Sequence, residues 1–279
     1  MHPTLILIIR LFFLSTSLIN ITQYLPLTYS ISSEIYKFLK EVIIQNMASS
    51  SGIACRNTKI VYPTGIHKAT IVWLHDIGQK GFDSTKFVRK LNLPNVKWIC
   101  PVAPKRPVTS WGGIETTAWC DVTEISENME DDLVSLNSIA AFVINLLRDE
   151  PENVKIGLGG IGLGAAVALY LATFYITGRK IRNLSFIVGI NGWLPAWRNL
   201  LHNLSFDYGS PSLAPSVSIL LTHGTSDDIV PFPLGRKSSD TLRMAGFPVT
   251  FIPNEGDHLP IVPQVINDVR LWIATKLQP

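Results

Sequence analysis

Gly160-Ile161-Gly162-Leu163-Gly164 has the layout Gly-x-Ser-x-Gly, with glycine in the place of the serine. Before it, Val154-Lys-Ile-Gly-Leu-Gly159 reads as a short buried strand. After it, Ala165 to Tyr175 reads as an apolar helix ending near Gly178. A strand, a tight glycine-rich turn and a helix give this motif its mechanical meaning, because such a turn lifts one side chain above the carboxyl edge of a sheet. Taken alone, the stretch is equally an ordinary glycine-rich turn between a strand and a helix.

Two later stretches bear on the choice. Ser218 to Gly224 is a hydrophobic strand running into Thr225-Ser-Asp-Asp-Ile-Val-Pro231, so that Asp227 and Asp228 fall just past its end. Val249 to Pro253 is the next strand, followed by Asn254-Glu-Gly-Asp-His258. An acid after a strand is commonly a turn former, and a histidine in such a loop is commonly only solvated. The order turn, Asp, His along the chain is nevertheless that of one class of nucleophilic triad, and not of the chymotrypsin or subtilisin types.

With these motifs the chain resembles the acyl-protein thioesterase and carboxylesterase branch of the α/β-hydrolases, its plant members in particular, from about Lys68 to the C terminus. The matching stretches are Ala69-Thr-Ile-Val-Trp-Leu-His75, Lys97-Trp-Ile-Cys-Pro-Val-Ala-Pro104, Thr117-Ala-Trp-Cys-Asp121, Asn191-Gly-Trp-Leu-Pro195, His223 to Pro231 and Gly256-Asp-His258. The resemblance implies hydrolysis of acyl thioesters, such as S-palmitoyl groups on proteins, and of small carboxylic esters. It also implies that Asp227 is the triad acid, His258 the general base and Gly162 a degenerate nucleophile position. A serine hydroxyl attacks poorly until an imidazole removes its proton, and the imidazole needs a carboxylate to orient it. Glycine has nothing to attack with. Loss of the nucleophile costs on the order of a millionfold in turnover, so the serine route is expected to be inactive or strongly impaired.

The family's His-Gly-x-Gly turn, which supplies an oxyanion donor, reads here His75-Asp-Ile-Gly78. The donors are then the amides of Ile77 and Leu163. Asp76 replaces a glycine; its carboxylate opposes an oxyanion if it points inward and matters little if it turns to water. Gly162 itself suits a strained turn, since positive φ costs about 1–3 kcal/mol for a residue with a Cβ. From sequence, Gly162→Ser is therefore expected to restore some ester hydrolysis. Cys120 and Ser226 are the nearest substitute nucleophiles, but neither lies on the turn, and Cys120 reads as a packing residue.

Alternation of short hydrophobic strands with helices predicts an α/β fold, a mainly parallel central sheet with helices on both faces. Strands are expected at Ala69 to His75, Val96 to Pro101, Val154 to Gly157, Leu184 to Ile190, Ser218 to His223 and Val249 to Ile252. Helices are expected at Ser84 to Leu91, Met129 to Asp149, Ala165 to Tyr175, Gly235 to Ala245 and Pro263 to Lys276. Pro107 to Ile114 reads as a loop over the pocket. The resemblance makes Trp111, Ile114 and Trp119 candidates for lining an acyl groove; aromatics tucked onto the core are the alternative.

The 279 residues are 47% hydrophobic and 16% charged, enough for one large domain with an N-terminal extension. A net charge of +3 without a basic cluster gives no footprint for nucleic acid. Cys55, Cys100 and Cys120 are too few for a disulfide framework and fit no zinc spacing, so no metal or cofactor is called for and a reducing, cytoplasmic setting is the simpler reading. Residues 1–46 form an apolar and amphipathic extension. Leu5 to Leu18 is interrupted by Arg10 and is a mediocre signal or anchor; helical spacing follows Ser33. This extension is a dispensable segment, a start-site artefact ahead of Met47, or a segment that directs the protein to the secretory pathway or a membrane, the only membrane contact expected; its amphipathic stretch reads as packing on the domain before lying on a membrane. Residues 47–67 lead into the domain at 68–279. The competing functions are an impaired ester or thioester hydrolase acting on S-acylated proteins and a non-catalytic binder of acyl or other small ligands. Dimerisation with active paralogues is allowed, with no surface specified.

Overall fold

The computed structural model describes residues 58–176, 181–206 and 216–278. The expectations for residues 1–46, and Cys55 with them, lie outside the described residues. In chain order the elements are β1 (Lys59–Val61), β2 (Ala69–Leu74), α1 (Gly81–Lys90), β3 (Val96–Cys100), β4 (Lys105–Val108), β5 (Ile114–Thr117), α2 (Leu133–Leu146) and β6 (Lys155–Ile161). They continue with α3 (Leu163–Ile176), β7 (Leu184–Ile190), α4 (Trp197–Phe206), β8 (Ser218–Gly224), α5 (Phe232–Met244), β9 (Val249–Asn254) and α6 (Pro263–Lys276).

Seven strands form one sheet in the order β1-β3-β2-β6-β7-β8-β9. Only β1 runs antiparallel to its neighbour; the other pairs are parallel. Strands buried on both faces need not alternate polar and apolar residues, and β2 is buried along its whole length. Its alternate side chains serve two cores. Val72 and Leu74 pack in the layer that holds Leu136 of α2, Ala166 and Leu169 of α3 and Leu234 of α5. Ile71 and Trp73 pack in the layer with Phe87 of α1 and Val269 of α6. Helix α3 lies at the centre, and its residues from Ala165 to Leu169 are wholly buried, which is why it shows no polar face.

Glycine makes the junction of β6 and α3 close enough for this. A Cβ at Gly160 or Gly164 would meet backbone atoms, the carbonyl oxygen of Leu74 in both cases. These two glycines therefore let the turn press against the end of β2, where His75 and Asp76 lie.

Several elements depart from the sequence expectations. β1 falls within the lead-in and closes the sheet edge. The stretch expected to be a loop is an antiparallel hairpin, β4 with β5; with Pro107 and mostly exposed residues it carries no hydrophobic alternation to betray it. Helix α2 begins at Leu133, not Met129, because the Asp132 side chain accepts from the Ser135 N–H at 3.0 Å and caps it there. α4 was not anticipated. Among the described residues no helix is long and apolar enough to cross a membrane.

Gly164→Ala is expected to destabilise the protein by at least the about 1–3 kcal/mol typical of overpacking, because its new methyl meets backbone and not a movable side chain. Urea unfolding should show the lowered midpoint with little change in slope.

Candidate active site

At the carboxyl edge of the sheet, Gly162 has φ +54° and forms the tip of the turn between β6 and α3. Its N–H donates to the Ile190 oxygen at 2.9 Å and its carbonyl accepts from Ala166. Asp227 lies just past β8. Its Oδ1 accepts from the backbone N–H groups of Ile229 at 3.0 Å and Val230 at 2.8 Å, which fix the carboxylate. His258, in the loop after β9, directs Nδ1 at Asp227 Oδ2, 2.9 Å away. Gly162, Asp227 and His258 are thus brought together as the resemblance implies.

The fourth member of the group is Asp76. It points inward: the residue is 8% exposed, its Oδ1 accepts from the Leu163 N–H at 2.9 Å, and its Oδ2 lies 2.7 Å from His258 Nε2. A Cβ built on Gly162 would collide with the Asp76 carboxylate. The carboxylate therefore fills the space that a side chain on residue 162 would take and occupies one of the two expected oxyanion donors. Of the two orientations left open for Asp76 the inward one is found, and it overturns the expectation for Gly162→Ser, which alone cannot seat a serine while Asp76 keeps its place.

The turn that carries Asp76 is fixed from several sides. His75 Nε2 accepts from the Ala103 N–H at 3.0 Å, which leaves Nδ1–H to donate to the Asp76 oxygen at 2.7 Å. His75 is thus the neutral tautomer, in keeping with burial lowering its pKa. Trp119 donates its indole N–H to the His75 oxygen at 2.8 Å, and the Gly78 N–H donates to the Thr117 oxygen. Trp119 is wholly buried. It is a support for the turn and part of the core, not a groove residue, which corrects that expectation. Trp111 does lie over the turn, its ring 3.3 Å from where a Cβ on Gly78 would stand. Ile114 is 64% exposed on the β4–β5 hairpin, and Ile77 is partly buried beside the core.

Two positioning residues escaped the sequence reading. Asn191 at the end of β7 has φ +51°. Its Nδ2 donates to the carbonyls of Asp257 and His258, at 3.1 and 2.8 Å, while its Oδ1 accepts from the Gly224 N–H at 3.0 Å. One amide thus ties the His258 loop to the strand that delivers Asp227. His223 Nε2 donates to the Val230 oxygen at 2.8 Å and stands 3.5 Å from Asp227 Oδ2. An asparagine just past a strand, followed by glycine, is the one local signal that marks Asn191.

The substitute nucleophiles fare poorly. Cys120 is buried, and burial pushes its thiol up, away from the reactive thiolate. Ser226 is exposed on the turn before Asp227.

Both His258 nitrogens face carboxylates, which only accept, so both must donate and the ring is an imidazolium. Burial alone lowers the pKa of His258, but the hydrogen bonds and charges of Asp227 and Asp76 outweigh it and raise the value to about 9. Since the folded value lies above the ordinary 6.5, this contribution to stability is complete below about pH 6.5 and fades as the pH rises through about 9. An NMR titration of the His258 ring should give a midpoint near 9 in the wild type, and Asp76→Asn should move it down.

A model of the phospholipase/carboxylesterase family matches residues 55–277. Acyl-protein thioesterase 1 homolog 1 of Dictyostelium discoideum is 27% identical over 230 residues, covering 80% of this chain and 96% of that protein. Acyl-protein thioesterase 1 of Cryptococcus neoformans is 27% identical over 241 residues, covering 78% and 96%. Among solved structures, Zea mays acyl-protein thioesterase 2 superposes with a TM-score of 0.73 at 41% identity, over 80% of this chain and 99% of that one. Arabidopsis thaliana SOBER1, at 23% identity and a TM-score of 0.62 over 76% and 100%, shares the fold.

Proposed function

Because the chain belongs to the phospholipase/carboxylesterase family of α/β-hydrolases, we propose that it is an acyl-protein thioesterase-like protein whose serine route to ester and thioester hydrolysis is closed. One observation carries this reading: the Asp76 carboxylate stands at the nucleophile's place, bonded to both the Leu163 N–H and His258. Three requirements of acyl transfer fail together. No hydroxyl is present at position 162. One oxyanion donor, the Leu163 N–H, is taken by Asp76 Oδ1. The base is already protonated at neutral pH and cannot accept a proton.

The ancestral activity inferred from the relatives is the removal of acyl groups from proteins, and this chain is a pseudoenzyme with respect to it. The free thiols of Cys100 and Cys120 fit a reducing, cytoplasmic compartment. The alternative of an acyl-chain binder gains no support from the cleft beside Leu163. That cleft has room for about one water molecule, with Val122, Met129, Leu136, Leu163 and Trp193 in its lining beside the carboxylates of residues 121, 124 and 130 to 132. Its volume is too small for an acyl chain.

Purified protein should hydrolyse p-nitrophenyl butyrate and an acyl thioester no faster than His258→Ala, and a fluorophosphonate probe should leave it unlabelled. Gly162→Ser should remain silent. Gly162→Ser combined with Asp76→Gly, which empties the space and frees the Leu163 N–H, should gain about a hundredfold or more, given that the nucleophile and its base together supply about a millionfold. Wild-type turnover that His258→Ala abolishes, or a fluorophosphonate adduct on the wild type, overturns the reading.

A further inference from the structure

A groove of about 260 Å³ lies between the loop after β1, the end of α1 and the turn into β3. It opens at the amino edge of the sheet, where β3 begins, and Gly162 and His258 lie at the carboxyl edge. Its walls are fixed by backbone. Val61 pairs with Trp98 in the ladder between β1 and β3, and the N–H groups of Thr64 and Gly65 both donate to the Pro94 oxygen at 2.9 Å. On the other side α1 stops at its cap, Leu91, and Asn92 turns the chain with φ +46° toward Leu93 and Pro94. A groove held in this way is formed before a ligand arrives, which removes part of the cost of binding.

The lining is apolar at depth and charged at one point only. Val88, Val96 and Trp98 are almost wholly buried and make the floor, while Tyr62, 69% exposed, stands at the mouth with Arg89 and Asn92. No acidic residue belongs to the lining. Among the described residues the Arg89 guanidinium has no ion-pair partner, and the side chains of Thr64 and Asn92 make no hydrogen bond. Three polar groups with donors to offer therefore face an apolar floor.

We propose that this groove binds a small aromatic carboxylate, its ring on the apolar floor and its carboxylate on Arg89. A planar guanidinium holds both oxygens of a carboxylate at once. One cation also matches a single negative charge, whereas a phosphate dianion would leave charge unpaired beside apolar walls. The amide of Asn92 and the hydroxyl of Thr64 are further donors for the same oxygens. The volume lies just under the about 300–1,000 Å³ of ordinary ligand sites, which suits one or two fused rings. Rings are favoured over a flexible chain because Tyr62 and Trp98 offer aromatic surface.

The test titrates the full-length protein, labelled with nitrogen-15, with 2-naphthoate and follows it by NMR. Saturable binding below about 1 mM is expected, with the amide shifts gathered at Thr64, Arg89, Asn92 and Leu93. The neutral 2-naphthamide should bind about tenfold more weakly, the value of one charge-assisted pair. Arg89→Ala should lower the affinity for 2-naphthoate to that of the amide with the urea midpoint unchanged, and Arg89→Lys should fall between. No saturable binding, equal affinity for the amide, equal affinity in Arg89→Ala, or shifts gathered around Leu163 and His258 would each overturn the proposal. So would tighter binding of 2-naphthyl phosphate, which would assign the groove to a dianion. The readout involves no hydrolysis, so it is independent of the closed serine route.

Discussion

An imidazolium held between two carboxylates is the constraint around which this site is arranged. Asp227 is bonded by two backbone N–H groups and Asp76 by one, so neither carboxylate depends on the ring alone. The ring is covered by protein, and a buried charge is tolerable only with partners of this kind. The surrounding supports have the same purpose. Asn191 fixes the backbone on either side of His258, Trp119 fixes the turn before Asp76, and the close glycines of β6 and α3 bring the Leu163 amide within reach of Oδ1. Glycine at position 162 leaves no gap in this arrangement, because the Asp76 carboxylate fills the space beside it.

Much of the architecture was legible in the sequence. The strands β2, β7 and β8 and the helix α3 are marked by apolar runs, and α6 by Val265, Val269 and Ile273 at helical spacing. The hairpin β4–β5 and the short edge strand β1 were not legible. Both are mostly exposed, β1 pairing with the distant β3 and β4 with its neighbour β5, and neither has a local hydrophobic pattern. Trp119 looked like a groove residue because the resemblance placed it near the pocket; its indole N–H instead finds a backbone oxygen inside the core, where a buried tryptophan needs one.

For the site, the order Gly162, Asp227, His258 was readable because each follows a strand in a parallel sheet whose carboxyl edge gathers such loops. The role of Asp76 was not readable from its own neighbourhood. Its rotamer is decided by Leu163, 87 residues away, and by His258, 182 residues away. A signal was nonetheless present in the pair of departures. Against the layouts His-Gly-x-Gly and Gly-x-Ser-x-Gly, position 76 carries a larger acidic residue and position 162 a smaller one. Treated separately they look like two losses; treated together they exchange volume and hydrogen-bonding capacity between facing segments.

That exchange also bears on history. A serine arriving first meets an occupied space and must adopt a left-handed backbone, while a glycine arriving first at 76 deserts a buried imidazolium. Either single step backward yields a poorer protein than the one that exists, so the pair acts as a ratchet. Either position can therefore change without loss only when the other changes with it.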